Sequence, residues 1–231
     1  GLEVVELLMT AYMSRFGDAF RKAVELSRSG ALGTLCEVSA RFSYDAVGYY
    51  PLTSSGGWRW TDPRGGGPLM DIGVYMAFAI REILGENIAE VSATSAQRRM
   101  KEVAQPDTYG LWFRTRSGIP GLLSVGFTHN ECRIDVFGDK GSLALTGAFS
   151  QGPQGKVRWS GQSGNGELDS EKQGPRHFEH YARETAHFSS AVLAGKAPEP
   201  SADDAVADME FLDAVRLSAR EGRTVRAGGR T

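Results

Sequence analysis

Five segments between residues 88 and 146 alternate apolar and polar side chains across short turn signals, and this pattern limits the possible folds most. They cover 88–97, 108–115, 119–128, 131–137 and 141–146. Arg116-Ser117-Gly118 and Gly138-Asp139-Lys140-Gly141 are too short to carry a crossover helix, so the strands they join must form antiparallel hairpins. Upstream, Thr34 to Tyr44 sets Cys36, Val38, Ala40, Phe42 and Tyr44 against Glu37, Ser39, Arg41 and Ser43, which predicts a strand with one buried face.

Helical periodicity flanks these strands. Residues 17–29 align Phe16, Phe20, Val24 and Ser27 and stop at Gly30. Residues 69–84 align Ile72, Met76, Ala79, Ile80 and Ile83 and stop at Gly85. Residues 176–194 carry Phe178, Tyr181, Thr185, Phe188 and Val192 along one face. Residues 202–221, capped by Ser201, direct Val206, Met209, Leu212, Val215 and Ala219 inward. Between them, 46–67 reads as a long Gly/Pro/aromatic loop and 150–174 as a polar surface excursion. Hairpins flanked by helices predict one α+β domain over residues 1–231, a mostly antiparallel open sheet with helices packed on one face.

Composition removes several classes of function. A formal net charge of -2 provides no electrostatic basis for holding nucleic acid or an anionic membrane. No apolar run approaches the roughly 20 residues that span a bilayer. Cys36 and Cys132 sit beside apolar neighbours in alternating segments and read as buried thiols of a reducing, cytoplasmic compartment. No Cys/His spacing predicts a metal site; His177, His180 and His187 share a helix with Tyr181 and Phe188 and read as packing or exposed residues. A Gly-x-Ser-x-Gly elbow is absent, which leaves a hydrolase without support. So is Gly-x-Gly-x-x-Gly at a strand–helix turn, and the chain is therefore not expected to hold a dinucleotide phosphate by itself.

The segment from Gly57 to Tyr75 carries the chemistry. Trp58-Arg59 precedes Gly65-Gly66-Gly67, which opens the helix bearing Asp71 and Tyr75. Spaced four apart, these two side chains share a helix face, and the helix dipole favours Asp71 as a carboxylate. A phenol becomes useful for proton transfer at neutral pH when a neighbouring cation lowers its pKa. Gly73 leaves room for a flat ring to approach the backbone. The alternative is that Asp71 only caps the helix and Tyr75 only packs.

This run resembles the glucose–fructose oxidoreductase / inositol dehydrogenase family, often called Gfo/Idh/MocA, at the start of its C-terminal domain. Tyr12-x-x-Arg15-Phe16, the Phe137 to Leu143 hairpin, His187-Phe188 and the stretch from Pro200-Ser201 to Gly222 are similar to the family in the same order. The resemblance implies a sheet with helices and the active site on one face and subunit contacts on the other, giving a homodimer or higher oligomer. Apolar residues on both faces of 119–128, Leu123, Val125 and Phe127 opposite Leu122, also predict a covered second face. It further implies reversible hydride transfer between NAD or NADP and a sugar, polyol or related small molecule. Asp71 and Tyr75 take the catalytic positions, Trp58 and Arg59 contact the cofactor, and Arg15 assists substrate binding. The aromatic Tyr75 is similar to the glucose–fructose oxidoreductase and dihydrodiol dehydrogenase branch. The family's Rossmann domain and Glu-Lys-Pro lysine have no counterpart here. Residues 1–10 are accordingly expected to be the strand that follows an upstream nucleotide-binding domain, and the chain is expected to be inactive alone. A stand-alone, non-catalytic binding or scaffold module is the alternative.

Overall fold

Turn chemistry and alternation do build the hairpins expected of them. A computed structural model describes residues 7–49, 55–101, 105–149, 155–162, 164–170 and 178–228. Its strands are β1 (Leu35–Ser43), β2 (Ile88–Ala96), β3 (Thr108–Thr115), β4 (Pro120–Gly126), β5 (Glu131–Gly138), β6 (Gly141–Thr146), β7 (Lys156–Gly161), β8 (Gly166–Asp169) and β9 (Val225–Arg226). Among the described residues they form one sheet in the order β8-β7-β6-β5-β1-β4-β3-β2-β9. The turn at 116–118 joins β3 to β4 and that at 138–141 joins β5 to β6, both antiparallel. At the second turn Gly138 meets the carbonyl of Leu32 so closely that a Cβ there would lie 2.0 Å from the oxygen.

One pairing departs from the hairpin reading. β1 lies between β4 and β5, antiparallel to β5 but parallel to β4, with Val38 opposite Gly121 and Ser43 opposite Gly126. The register slips between Leu35 and Glu37, a bulge that turns Cys36 off the buried face. Cys36 is therefore exposed, contrary to its expected burial. Cys132 keeps the inner side, and burial pushes its thiol up to about 11, so it stays protonated.

The helices are α1 (Asp18–Arg28), α2 (Ala46–Tyr49), α3 (Trp58–Thr61), α4 (Val74–Leu84), α5 (Glu179–Ala194) and α6 (Ala202–Glu221). A 3-10 turn, Met13–Phe16, precedes α1, and a π-helical turn, Leu69–Gly73, precedes α4. Between sheet and helices lies the core, with Phe113, Leu123, Val125 and Val136 facing Phe20, Ile80, Leu212 and Val215. Ser201 caps α6 in a reciprocal capping box with Asp204, as its position suggested. Residues 1–6, and with them most of the expected 1–10 strand, lie outside the described residues, as does His177.

Four other expectations are corrected. The 150–174 excursion contains β7 and β8, which extend the sheet; their Gly/Ser-rich composition hid the pairing of Trp159 with Gly166. The 46–67 loop contains α2 and α3. On α5 the apolar stripe does not point inward: Phe178 and Val192 are exposed, whereas His180, Glu184 and Ala191 are buried. On α6 Val206 and Met209 are exposed and Asp208 and Phe211 are buried instead. On α6 the buried Asp208 is held by Tyr12 and Arg81, and on α5 the polar His180 and Glu184 take the inner face, placements that the helical periodicity of apolar residues does not register.

Candidate active site

Aromatic packing sets the frame of the site. Trp60 is fully buried and meets Phe127 edge-on at 4.9 Å, anchoring the short helix α3 to the sheet. The chain then folds back on α3. Gly66 and Gly67 donate their amides to the carbonyls of Asp62 and Arg59, and Asp62 accepts from the amides of Arg64 and Gly65. A Cβ at Gly66 would lie 2.5 Å from the Asp62 carbonyl, so the triple glycine is a packed reversal.

This reversal leads into the π turn, a feature that often marks functional sites. Within it, Asp71 is held on both oxygens. The Tyr44 hydroxyl at the end of β1 donates to Oδ2 at 2.5 Å, and Arg59 Nε donates to Oδ1 at 3.0 Å. The Arg59 guanidinium also lies over the Trp58 ring, 4.5 Å from its centroid. The structure thus brings Trp58, Arg59 and Asp71 into one connected cluster and adds Tyr44, which had counted only as a strand residue.

Tyr75 stands at the start of α4, half-buried, edge-on to Tyr12 at 6.0 Å and tilted against Phe149 at 6.2 Å. No hydrogen bond involves its hydroxyl among the described residues. Burial raises its pKa, the charges of Asp71, Tyr181 and Glu184 raise it further, and Arg59 opposes them without prevailing. The expectation of a cation-lowered phenol is therefore reversed. Tyr75 is held in its protonated form through neutral pH, suited to donating a proton or hydrogen bond to a substrate oxygen. Gly73 is corrected too. It turns inward, where a Cβ would lie 3.1 Å from Leu69 Cδ1 and 3.6 Å from Leu212 Cδ2, so it serves packing against α6.

Arg15 is not part of this cluster. Its guanidinium meets Glu199 at 2.6 Å and Glu82 at 3.6 Å, and Glu82 lies two turns, about 10 Å, along α4 from Tyr75. Behind the site, Tyr12 donates to Asp208 Oδ2 at 2.8 Å, and Arg81 reaches Asp208 at 2.6 Å and Asp204 at 3.0 Å. This buried network braces α4 against α6 directly beneath Tyr12 and hence Tyr75.

A nicotinamide cofactor suits these residues. The Trp58 ring is 45% exposed and packs against the Arg59 guanidinium that pairs with Asp71, a flat surface on which a planar ring can stack. Among the described residues no cluster of His, Cys, Asp and Glu is arranged to hold a metal ion, and no helix is long and apolar enough to cross a membrane.

Comparison with known proteins agrees with this architecture. The chain is 26% identical over 216 residues to dTDP-3,4-didehydro-2,6-dideoxy-alpha-D-glucose 3-reductase of Actinomadura kijaniata, covering 93% of this chain and 62% of that protein. It is 28% identical over 226 residues to D-xylose 1-dehydrogenase (NADP(+)) 2 of Haloferax volcanii, covering 94% of this chain and 64% of the relative. The crystal structure of aldose-aldose oxidoreductase from Caulobacter crescentus, complexed with glycerol, superposes with a TM-score of 0.81 at 27% identity, over 96% of this chain and 64% of that one. The chain thus spans less than two thirds of the length of each. Residues 20–144 match the family model for the GFO/IDH/MocA C-terminal domain, and the chain belongs to the GFO/IDH/MocA family.

Proposed function

We propose that this chain forms the substrate side of an NAD(P)-dependent oxidoreductase acting on a sugar, polyol or related alcohol or carbonyl compound. The observation that carries the reading is the Tyr75 phenol, protonated and without a hydrogen-bond partner among the described residues, beside an Asp71 carboxylate fixed by Tyr44 and Arg59. The relatives' names, a sugar 3-reductase, a xylose dehydrogenase using NADP(+) and an aldose oxidoreductase, support the same class. The nicotinamide, when bound, supplies or accepts the hydride. Tyr75 donates the proton to the substrate oxygen in reduction and recovers it in oxidation. Asp71 orients Arg59 and keeps negative charge near the phenol, and Trp58 and Arg59 form the surface against the cofactor. The nucleotide itself is held mainly by a domain beyond this chain. Arg15, committed to Glu82 and Glu199, ties the 3-10 turn to α4, and we assign it no direct contact with substrate.

Tyr75→Phe in the full-length protein tests the assignment. Loss of a general acid should lower kcat about 10²–10⁴-fold, followed as NAD(P)H absorbance, with little change in melting temperature. Full turnover in that variant sinks the catalytic role of Tyr75.

A further inference from the structure

We propose that Asp107 is a positioning residue for Asp71, because both side chains that hold the Asp71 carboxylate are braced through it. The proposal rests on the function assigned above and names what keeps the acid in place from outside the site. Asp107 directly precedes β3 and is 1% exposed. Its carboxylate accepts the amides of Arg98 at 2.9 Å, Arg99 at 2.5 Å and Met100 at 3.1 Å, and the Thr108 hydroxyl at 3.1 Å. A buried charge satisfied this fully fixes the chain around it. The main chain of Asp107 also joins three strand ends. Its amide donates to the carbonyl of Ala96, the last residue of β2, and its carbonyl accepts from Phe127, just after β4.

Two arms leave this anchor. The first runs through the turn that Asp107 gathers. Arg99 reaches Asp45 at 2.7 Å and the Thr128 carbonyl at 3.2 Å, and Asp45 follows Tyr44, the donor to Asp71 Oδ2. The second runs through the two residues before Asp107. Gln105 donates to the Asp62 carbonyl at 3.0 Å, and a Cβ on Gly67 would meet the Pro106 carbonyl at 3.5 Å, so the glycine reversal rests against both. That reversal closes on α3 where the Gly67 amide meets the Arg59 carbonyl, and Arg59 is the donor to Asp71 Oδ1. Phe127 lies between the arms, its ring 5.1 Å from that of Tyr44 and 4.9 Å from that of Trp60. Neither arm is strong alone: Arg99 and Asp45 are both more than a third exposed, and such a pair contributes little by itself. Sharing one buried anchor, the arms fix two donors on two oxygens, and a misplacement of about 1 Å at a reacting site can cost about 10²-fold in rate.

The test is nuclear magnetic resonance of the full-length protein carrying tyrosine labelled with carbon-13 at Cζ. The Tyr44 signal, assigned by its loss in Tyr44→Phe, reports the hydrogen bond to Asp71, and the Tyr12 signal, from the hydroxyl bonded to Asp208, is the control. Asp107→Asn replaces one acceptor oxygen by a donor and should move the Tyr44 signal while Tyr12 stays in place. In the NAD(P)H assay used for Tyr75→Phe it should lower kcat about 10- to 100-fold, with the loss falling on kcat more than on KM. Should Asp107→Asn not fold, the double variant Arg99→Ala/Gln105→Ala cuts both arms and leaves the buried anchor intact. It should give the same pattern, and Arg99→Lys/Gln105→Ala should recover part of the loss. A Tyr44 signal that stays in place in a folded variant, or that moves together with Tyr12, overturns the positioning role and leaves the proposed function standing. A displaced Tyr44 signal with unchanged kcat overturns the bearing of Asp107 on the reaction, whereas the function itself falls only on the Tyr75→Phe result.

Discussion

Replacing Arg81 by methionine keeps the aliphatic stem that packs between α4 and α6 but strands a carboxylate in the core. Asp208 is 0% exposed and receives Arg81 Nη1 at 2.6 Å and the Tyr12 hydroxyl at 2.8 Å. Removing one member of a buried pair costs about 3–5 kcal/mol, because the remaining charge is uncompensated. The second partner of Arg81, Asp204, is more than a third exposed and adds well under about 1 kcal/mol. Since Tyr12 still donates, the lower end, about 3 kcal/mol, is expected, a large share of the roughly 5–15 kcal/mol that holds a domain together. Urea unfolding should show this as a midpoint lower by about 1–2 M at an unchanged slope. The loss should also depend on pH. Burial pushes Asp208 up to about 6 even with Arg81 beside it, from 3.8 when unfolded. A carboxyl raised on folding contributes stability that is complete below the unfolded value and is lost as pH rises through the folded one. Without Arg81 the folded value moves higher still, so the gap between Arg81→Met and wild type should be small near pH 4 and complete near pH 8. Adding Asp208→Leu should recover much of it. A gap below about 1 kcal/mol at pH 8, or one that does not vary with pH, refutes the buried-pair argument.

Two further outcomes can be checked. Tyr44→Phe removes the 2.5 Å bond to Asp71 Oδ2 and should cost about 1.5–3 kcal/mol in urea unfolding, and a midpoint equal to wild type would dissociate Tyr44 from the site. The open face of the sheet exposes Trp112, Leu122 and Phe137, and the protein should sediment as a dimer or larger species at micromolar concentration, with Leu122→Asp shifting it toward monomer. A wild-type monomer contradicts that surface reading.

Local rules predicted what local forces decide. Alternation and the turns at 116–118 and 138–141 located the β3–β4 and β5–β6 hairpins, and the N-cap at Ser201 marked the start of α6. The insertion of β1 between β4 and β5 was invisible, because its partners lie roughly eighty to a hundred residues away and alternation says nothing about which strand is adjacent. Cys36 was misassigned because one bulge reverses the facing of every residue beyond it. In the site, spacing and family resemblance pointed to Trp58, Arg59, Asp71 and Tyr75, which the fold gathers into one region. Tyr44 escaped notice because its role depends on where β1 ends in three dimensions. The burial of Glu184 on α5 escaped notice as well, because a lone acid on a helix ordinarily faces water.

The central position of β1 also governs the order of assembly. β2, β3, β4 and β9 make one half of the sheet, and β5 to β8 make the other, each stitched mainly by neighbouring hairpins. β1 is the seam between them, and its pairing waits for loops of many tens of residues to close. The two halves can therefore form early while the seam closes late, and pulsed hydrogen exchange during refolding should find the amides of β1 protected after those of β3 and β6; simultaneous protection would contradict this. Because Tyr44 follows the last residue of that seam and holds Asp71, the acid reaches its final place when the sheet becomes continuous. On the proposed function, a chain whose halves have formed but whose seam is still open is expected to lack the placed Asp71 carboxylate and so to be inactive.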